Sequence, residues 1–120
     1  IHKSLLNFKQ SFEYSDLYND SLSVIDNYTD VQFQTISESM QITSDVLRKS
    51  ARINGLPARI IEFDAIIDDV PFPITYYYTF YAGKDNIYLM LTWTAKSKRE
   101  KYQPLMEKIA KSFRLISQLK

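Results

Sequence analysis

Four carboxylates sit between Glu62 and Asp69, namely Glu62, Asp64, Asp68 and Asp69. In an extended chain alternate side chains share a face, so Glu62, Asp64 and Asp68 would project together. Oxygen ligands of this kind suit Ca²⁺ or Mg²⁺, and a carboxylate pair can divide acid and base roles. The spacing is not that of an EF-hand loop, and outward acids on a strand also solvate it and discourage edge-to-edge pairing. These three residues define the metal-ion alternative, not the leading expectation.

The second chemical feature is charge. The chain has a formal net charge of +1, but from Lys96 to Lys120 eight Lys or Arg face two Glu, a local net of +6. The rest carries seven basic and twelve acidic residues, a net of −5. Such asymmetry marks a contact face for an anionic partner. The residues expected to form it are Lys98, Arg99, Lys101, Lys108 and Lys111, with Phe72, flanked by Pro71 and Pro73, as a separate apolar contact point.

Other chemistries are excluded or left without parts. With no cysteine there is no disulfide, thiolate ligand or cysteine nucleophile. A single histidine, His2, cannot share a zinc ion with a second His, nor does it sit in a Ser-His-Asp apparatus. Two glycines cannot build a glycine-rich phosphate loop. Nucleic-acid binding needs exposed aromatics among the basic residues, and the aromatics of the basic segment fall on its apolar stripe. The chain is expected to be non-enzymatic, to need no cofactor and to bind no nucleic acid.

One hundred and twenty residues suit one domain, here 1–120, large enough for its own core. Tyr14, Leu17, Tyr18, Leu22, Ile25 and Tyr28 recur at helical spacing and predict a helix over Glu13–Tyr28, capped by Ser15 or Asp16 and closed at Asp30. A short first strand is expected over Ser4–Gln10. Val31, Phe33 and Thr35 alternate with polar neighbours, predicting an edge strand continuing to Ile42. Thr43-Ser44-Asp45 is a turn and Val46–Ile53 a half-exposed strand.

Asn54-Gly55 is the strongest hairpin turn signal in the chain, since both residues tolerate positive φ. Beyond it Ala58–Asp68, Ile74–Ala82 and Asn86–Ala95 read as strands, the last two apolar on both faces and therefore central. Ile61, Phe63, Tyr78, Leu89, Leu91 and Trp93 are the expected shared core. Ser97-x-x-Glu100 has the form of a capping box. It opens a helix whose apolar face is Tyr102, Leu105, Met106, Ile109, Ala110 and Phe113, with a kink or restart at Pro104.

Ile53-Asn54-Gly55-Leu56-Pro57-Ala58-Arg59 resembles the "G-x-P-A" turn of PsbP-like domains, a family that includes the extrinsic photosystem II protein and many bacterial lipoproteins. Tyr76–Tyr81, Leu91-Thr92-Trp93-Thr94-Ala95 and Ile109-Ala110-Lys111-Ser112-Phe113-Arg114 are similar to the strands and closing helix that follow in that family. The likeness runs from about Glu13 to Ile116; the family's "Y-P-x-x-W"-like opening is absent. It implies an α+β fold, an α/β/α sandwich around a central antiparallel sheet. It also implies a non-catalytic, extracytoplasmic protein-binding or assembly domain of a bacterial lipoprotein. Its partner would be an unidentified protein, and a signal peptide or lipid anchor upstream of Ile1 would tether it to a membrane. The alternative is a small-ligand or Ca²⁺-binding domain. It would use Glu62, Asp64 and Asp68, or an enclosed pocket lined by Tyr76, Tyr78 or Tyr88 on the Tyr-rich sheet face.

Overall fold

A computed structural model of the chain describes residues 2–4, 23–84 and 86–115. The element order is β1 (His2–Ser4), α1 (Val24–Glu38), β2 (Gln41–Ile42), β3 (Leu47–Ile53), β4 (Leu56–Ile66), β5 (Ile74–Ala82), β6 (Asn86–Ala95) and α2 (Arg99–Lys111). The six strands form one antiparallel sheet in the order β1-β6-β5-β4-β2, and β3 also lies against β4. The expected helix over residues 13–22 and strand over residues 5–10 lie outside the described residues.

β4 is the hub. Ala58 to Ala65 pair with Tyr81 to Ile74 of β5, while β3 and β2 share its opposite edge in tandem. The link between β2 and β3 keeps this ladder satisfied: the Thr43 amide donates to the Asp64 carbonyl at 2.9 Å, and the Asp64 amide donates to Ser44 Oγ at 2.8 Å. Every backbone polar group thus matched on a buried strand avoids a desolvation penalty. Pro57 opposes Arg52 of β3 and sits one residue before pairing with β5 begins, so its missing N–H breaks no bond on that side.

Asn54 and Gly55 have φ of 49° and 83°, the geometry of the tight turn their residue types favour. This turn does more than reverse the chain. The Asn54 side-chain amide donates to the carbonyls of Lys111 (3.2 Å) and Phe113 (2.6 Å), occupying acceptors that the end of α2 leaves open.

The helices take opposite faces. Ile25 and Tyr28 of α1 pack on Ile61, Phe63, Ala65, Ile74, Tyr76, Tyr78 and Phe80. Met106 and Ala110 of α2 pack on Ile60 and Tyr77. Phe63, Tyr78 and Phe80 form a stacked row, with centroids 5.8 Å apart for Phe63–Tyr78 and 6.5 Å for Tyr78–Phe80. The face assignments read from strand alternation hold for β4, β5 and β6.

Three expectations about elements are corrected. Asp30 does not close a helix: Val31 to Glu38 are helical, and the strand expected through Ile42 shrinks to Gln41–Ile42. Ile25, Tyr28, Thr29, Phe33 and Ile36 complete a 3.6-residue stripe that overrides the short alternation of Val31, Phe33 and Thr35. The helix starts where Ser23 Oγ accepts the Asp26 amide at 3.2 Å. Ser97 makes no capping box, because Lys96–Lys98 is a 3₁₀ turn and α2 starts at Arg99 without a side-chain cap. The helix also continues through Pro104.

Candidate protein interface

Glu62 and Asp64 point from β4 toward α2, and both are buried. Each is engaged within the chain. Arg99 donates to Glu62 Oε2 through Nε at 3.2 Å and Nη2 at 3.1 Å. Thr75 donates to Asp64 Oδ1 at 2.5 Å, and Lys96 Nζ lies 3.7 Å from its Oδ2. Asp68 is exposed in the turn after β4, away from that pair in character and burial. Among the described residues no three His, Cys, Asp or Glu are grouped to hold a metal ion. The two carboxylates anchor the basic segment to the sheet; the segment's charge answers this acidic strand.

The expected basic residues separate by their engagements. Arg99 is committed to Glu62, and Lys111 lies 3.0 Å from Glu107 one turn back. The neighbouring Lys111 ammonium, through its hydrogen bond, holds the Glu107 carboxyl below the usual carboxylate range. Lys98, Lys101 and Lys108 are exposed and form no ion pair among the described residues. Lys101 Nζ lies 5.2 Å from the Tyr102 ring centroid, close enough for a weak cation–π contact. Spacings of four and three residues put Lys101, Leu105 and Lys108 along one side of α2, and Lys98 lies in the 3₁₀ turn just before it. Phe72 stands alone in the β4–β5 connection, 50% exposed.

The apolar stripe of α2 does not go wholly to the sheet. Met106 and Ala110 are buried, whereas Leu105 is 49% and Ile109 37% exposed. Trp93 of β6, expected in the shared core, is 61% exposed. Leu91, Thr92, Trp93 and Thr94 form one wall of a groove of about 370 Å³, and Tyr102, Leu105, Met106 and Ile109 form the other. The reason is topological. Among the described residues β1 covers only Asn86, Ile87 and Tyr88 on the outer side of β6, and no described strand lies beside the rest of it. Alternation along a strand reports which face a side chain takes, and is silent on whether the strand has a neighbour.

Among the described residues, the tyrosines expected to line an enclosed site are packed against other side chains. Tyr76 and Tyr78 are buried in the α1-side core against Phe63, and none of the described grooves is lined by Tyr76, Tyr78 or Tyr88. On the opposite face Tyr81 donates to the Ala110 carbonyl at 2.5 Å and stacks on Phe113 at 4.1 Å between centroids. Burial pushes the hydroxyls of Tyr77, Tyr78 and Tyr81 up to about 12. They are packing groups that carry a polar end.

The groove thus has an apolar lining, with Lys98, Lys101 and Lys108 nearby and in no ion pair among the described residues. No family model matches the chain, and no curated protein matches it. A solved structure does: PA94 from Pseudomonas aeruginosa, a protein of unknown function, superposes with a TM-score of 0.62 at 10% identity. The match covers 74% of this chain and 60% of that one. At that identity the similarity concerns the fold alone.

Proposed function

We propose that the chain is a non-catalytic protein-binding domain whose contact surface is the outer side of α2. The observation that carries this proposal is Lys98, Lys101 and Lys108, exposed and without ion pairs among the described residues, beside exposed Leu105 and Ile109. Charge draws an acidic partner in and sets its orientation, while desolvated aromatic and aliphatic anchors hold it. Arg99 and Lys111, once grouped with these lysines, contribute positive potential but are held by Glu62 and Glu107.

The finer assignment is a PsbP-like α/β/α domain of a bacterial lipoprotein, working outside the cytoplasm in assembly. It is supported by the Gly55-x-Pro57-Ala58-like turn and by helices on opposite faces of the antiparallel sheet. Lipid anchoring and compartment rest on the family resemblance alone.

The test is capture of partner protein by immobilised chain, repeated with Lys98→Glu plus Lys101→Glu and across a salt series. Binding should weaken steeply with salt and be lost in the double variant, whose fold should hold because both lysines are exposed and form no ion pair among the described residues. Capture unchanged by both treatments would sink the α2 surface as the binding face.

A further inference from the structure

Asn54-Gly55 joins β3 to β4, and it is the one place in the chain where an asparagine precedes a glycine. The pairing of Ile53 with Leu56 closes the turn, and both of its central residues are exposed. Their positive φ values belong to a range that few residue types accept. No described part of the fold beyond the adjoining residues stands within 4 Å of where a Cβ on Gly55 would lie. The turn therefore has room to change conformation.

The Asn54 side chain also holds the end of α2. Its Nδ2 donates to the carbonyl of Lys111, the last residue of the helix, and to that of Phe113 just beyond it. Carbonyls at a helix end have no partner within the helix, so this amide supplies what they lack. Around the contact Ile53, Leu56, Ala58 and Tyr81 form a buried cluster, and Phe113 packs against it by stacking on Tyr81. One side-chain amide thus joins this dipeptide to the end of a helix.

We propose that Asn54 is a site of spontaneous deamidation, and that its product unlatches the end of α2 from the β3–β4 turn. The backbone nitrogen of Gly55 attacks Cγ of Asn54 and closes a cyclic succinimide. The bond from Cγ to Nδ2 breaks, and Nδ2 leaves as ammonia, taking up the proton of the Gly55 amide. Water then opens the ring. Cleavage between the Gly55 nitrogen and Cγ gives aspartate, and cleavage at the Asn54 backbone carbonyl gives isoaspartate. Glycine permits the attack because it places no Cβ beside the nucleophilic nitrogen. Either product exchanges two hydrogen-bond donations for a carboxylate facing carbonyl oxygens at the negative end of the helix dipole. Isoaspartate also lengthens the backbone of the turn, against the Ile53–Leu56 pairing. Ring closure draws Nδ2 off both of its acceptors, so the intact contact slows the reaction. The inference is independent of the protein-binding reading; where that reading holds, the modification loosens the helix that carries the contact surface.

The unaltered chain is incubated for weeks at neutral pH, folded and in urea, and conversion at Asn54 is followed by peptide mass mapping. Asn54 should convert in the folded chain and several-fold faster in urea. The converted protein is separated by its added negative charge. Its amides from Ala110 to Ser112 should exchange roughly tenfold faster than in the parent, while those from Ile60 to Phe63 in β4 keep their rate. Asn54→Asp, which carries the side chain of one product from the start, should show the same change. No conversion at Asn54 in the folded chain overturns the site. Equal rates in the folded chain and in urea overturn the protective contact. Helix-end amides that exchange as in the parent, in the converted protein and in Asn54→Asp alike, overturn the unlatching. Loss of protection in β4 as well overturns a change confined to the end of α2.

Discussion

Arg99, the first residue of α2, holds Glu62 of β4 with two guanidinium nitrogens at 3.1 and 3.2 Å from one carboxylate oxygen. The Glu62 side chain is only 6% exposed while that of Arg99 is 42% exposed. The pair is therefore asymmetric, a buried acid met by a base that reaches in from solvent. A buried charge that loses its partner costs more than the pair contributes. This joint also fixes where α2 begins, in place of the side-chain cap that helix lacks.

From that asymmetry, Arg99→Ala should destabilise the fold by about 2 kcal/mol in urea unfolding, because Glu62 is left buried and unpaired. Adding Glu62→Gln should recover a substantial part of the loss, since the charge is then gone. A double variant no more stable than Arg99→Ala would show that Glu62 is not the group being satisfied.

Much of the sheet is legible in the sequence. Asn54-Gly55 announces its turn because positive φ is costly for most other residues, and the faces of Tyr76 to Tyr81 follow from strict alternation. The stretch Val31–Glu38 misleads because Val31, Phe33 and Thr35 satisfy a two-residue period over a window too short to exclude a helix. Extending the window back to Ile25 and on to Ile36 restores the helical period. At the interface, residue type reveals the positive charge of α2 but not its disposal. That Arg99 and Lys111 are engaged while Lys98 and Lys108 form no ion pair among the described residues depends on the strand facing the helix and on spacing to Glu107. Trp93 was unreadable as a surface residue because an edge is a property of strand order.

Asp26 links α1 to the sheet: Arg59 Nε donates to its Oδ1 at 2.6 Å. That hydrogen bond, with a smaller one from Ser23, holds the Asp26 carboxyl below its ordinary 3.8 despite partial burial. A carboxyl with a depressed folded value contributes stability that is full above 3.8 and fades as pH falls through the lower folded value. Asp26→Asn should cost about 1 kcal/mol near neutrality, with the gap to the parent closing below that window. Parallel stability curves for the two proteins down to the acid limit would refute the linkage.

At the other end of the pH range Tyr81 sets the expectation. Its hydroxyl donates to the Ala110 carbonyl at 2.5 Å, and burial pushes it up to about 12 from 10.0. A raised folded value means stability that is complete below 10 and lost as pH rises toward 12. Tyr77 and Tyr78 lie in the same window, so their losses add to it. Tyr81→Phe removes the bond to the last turn of α2 and should cost about 1 kcal/mol at neutral pH, while making alkaline unfolding shallower. Tyrosinate absorbance followed alongside far-ultraviolet dichroism reads both effects. Ionisation of all nine tyrosines near 10 with the fold intact would show that these hydroxyls are not held in the interior.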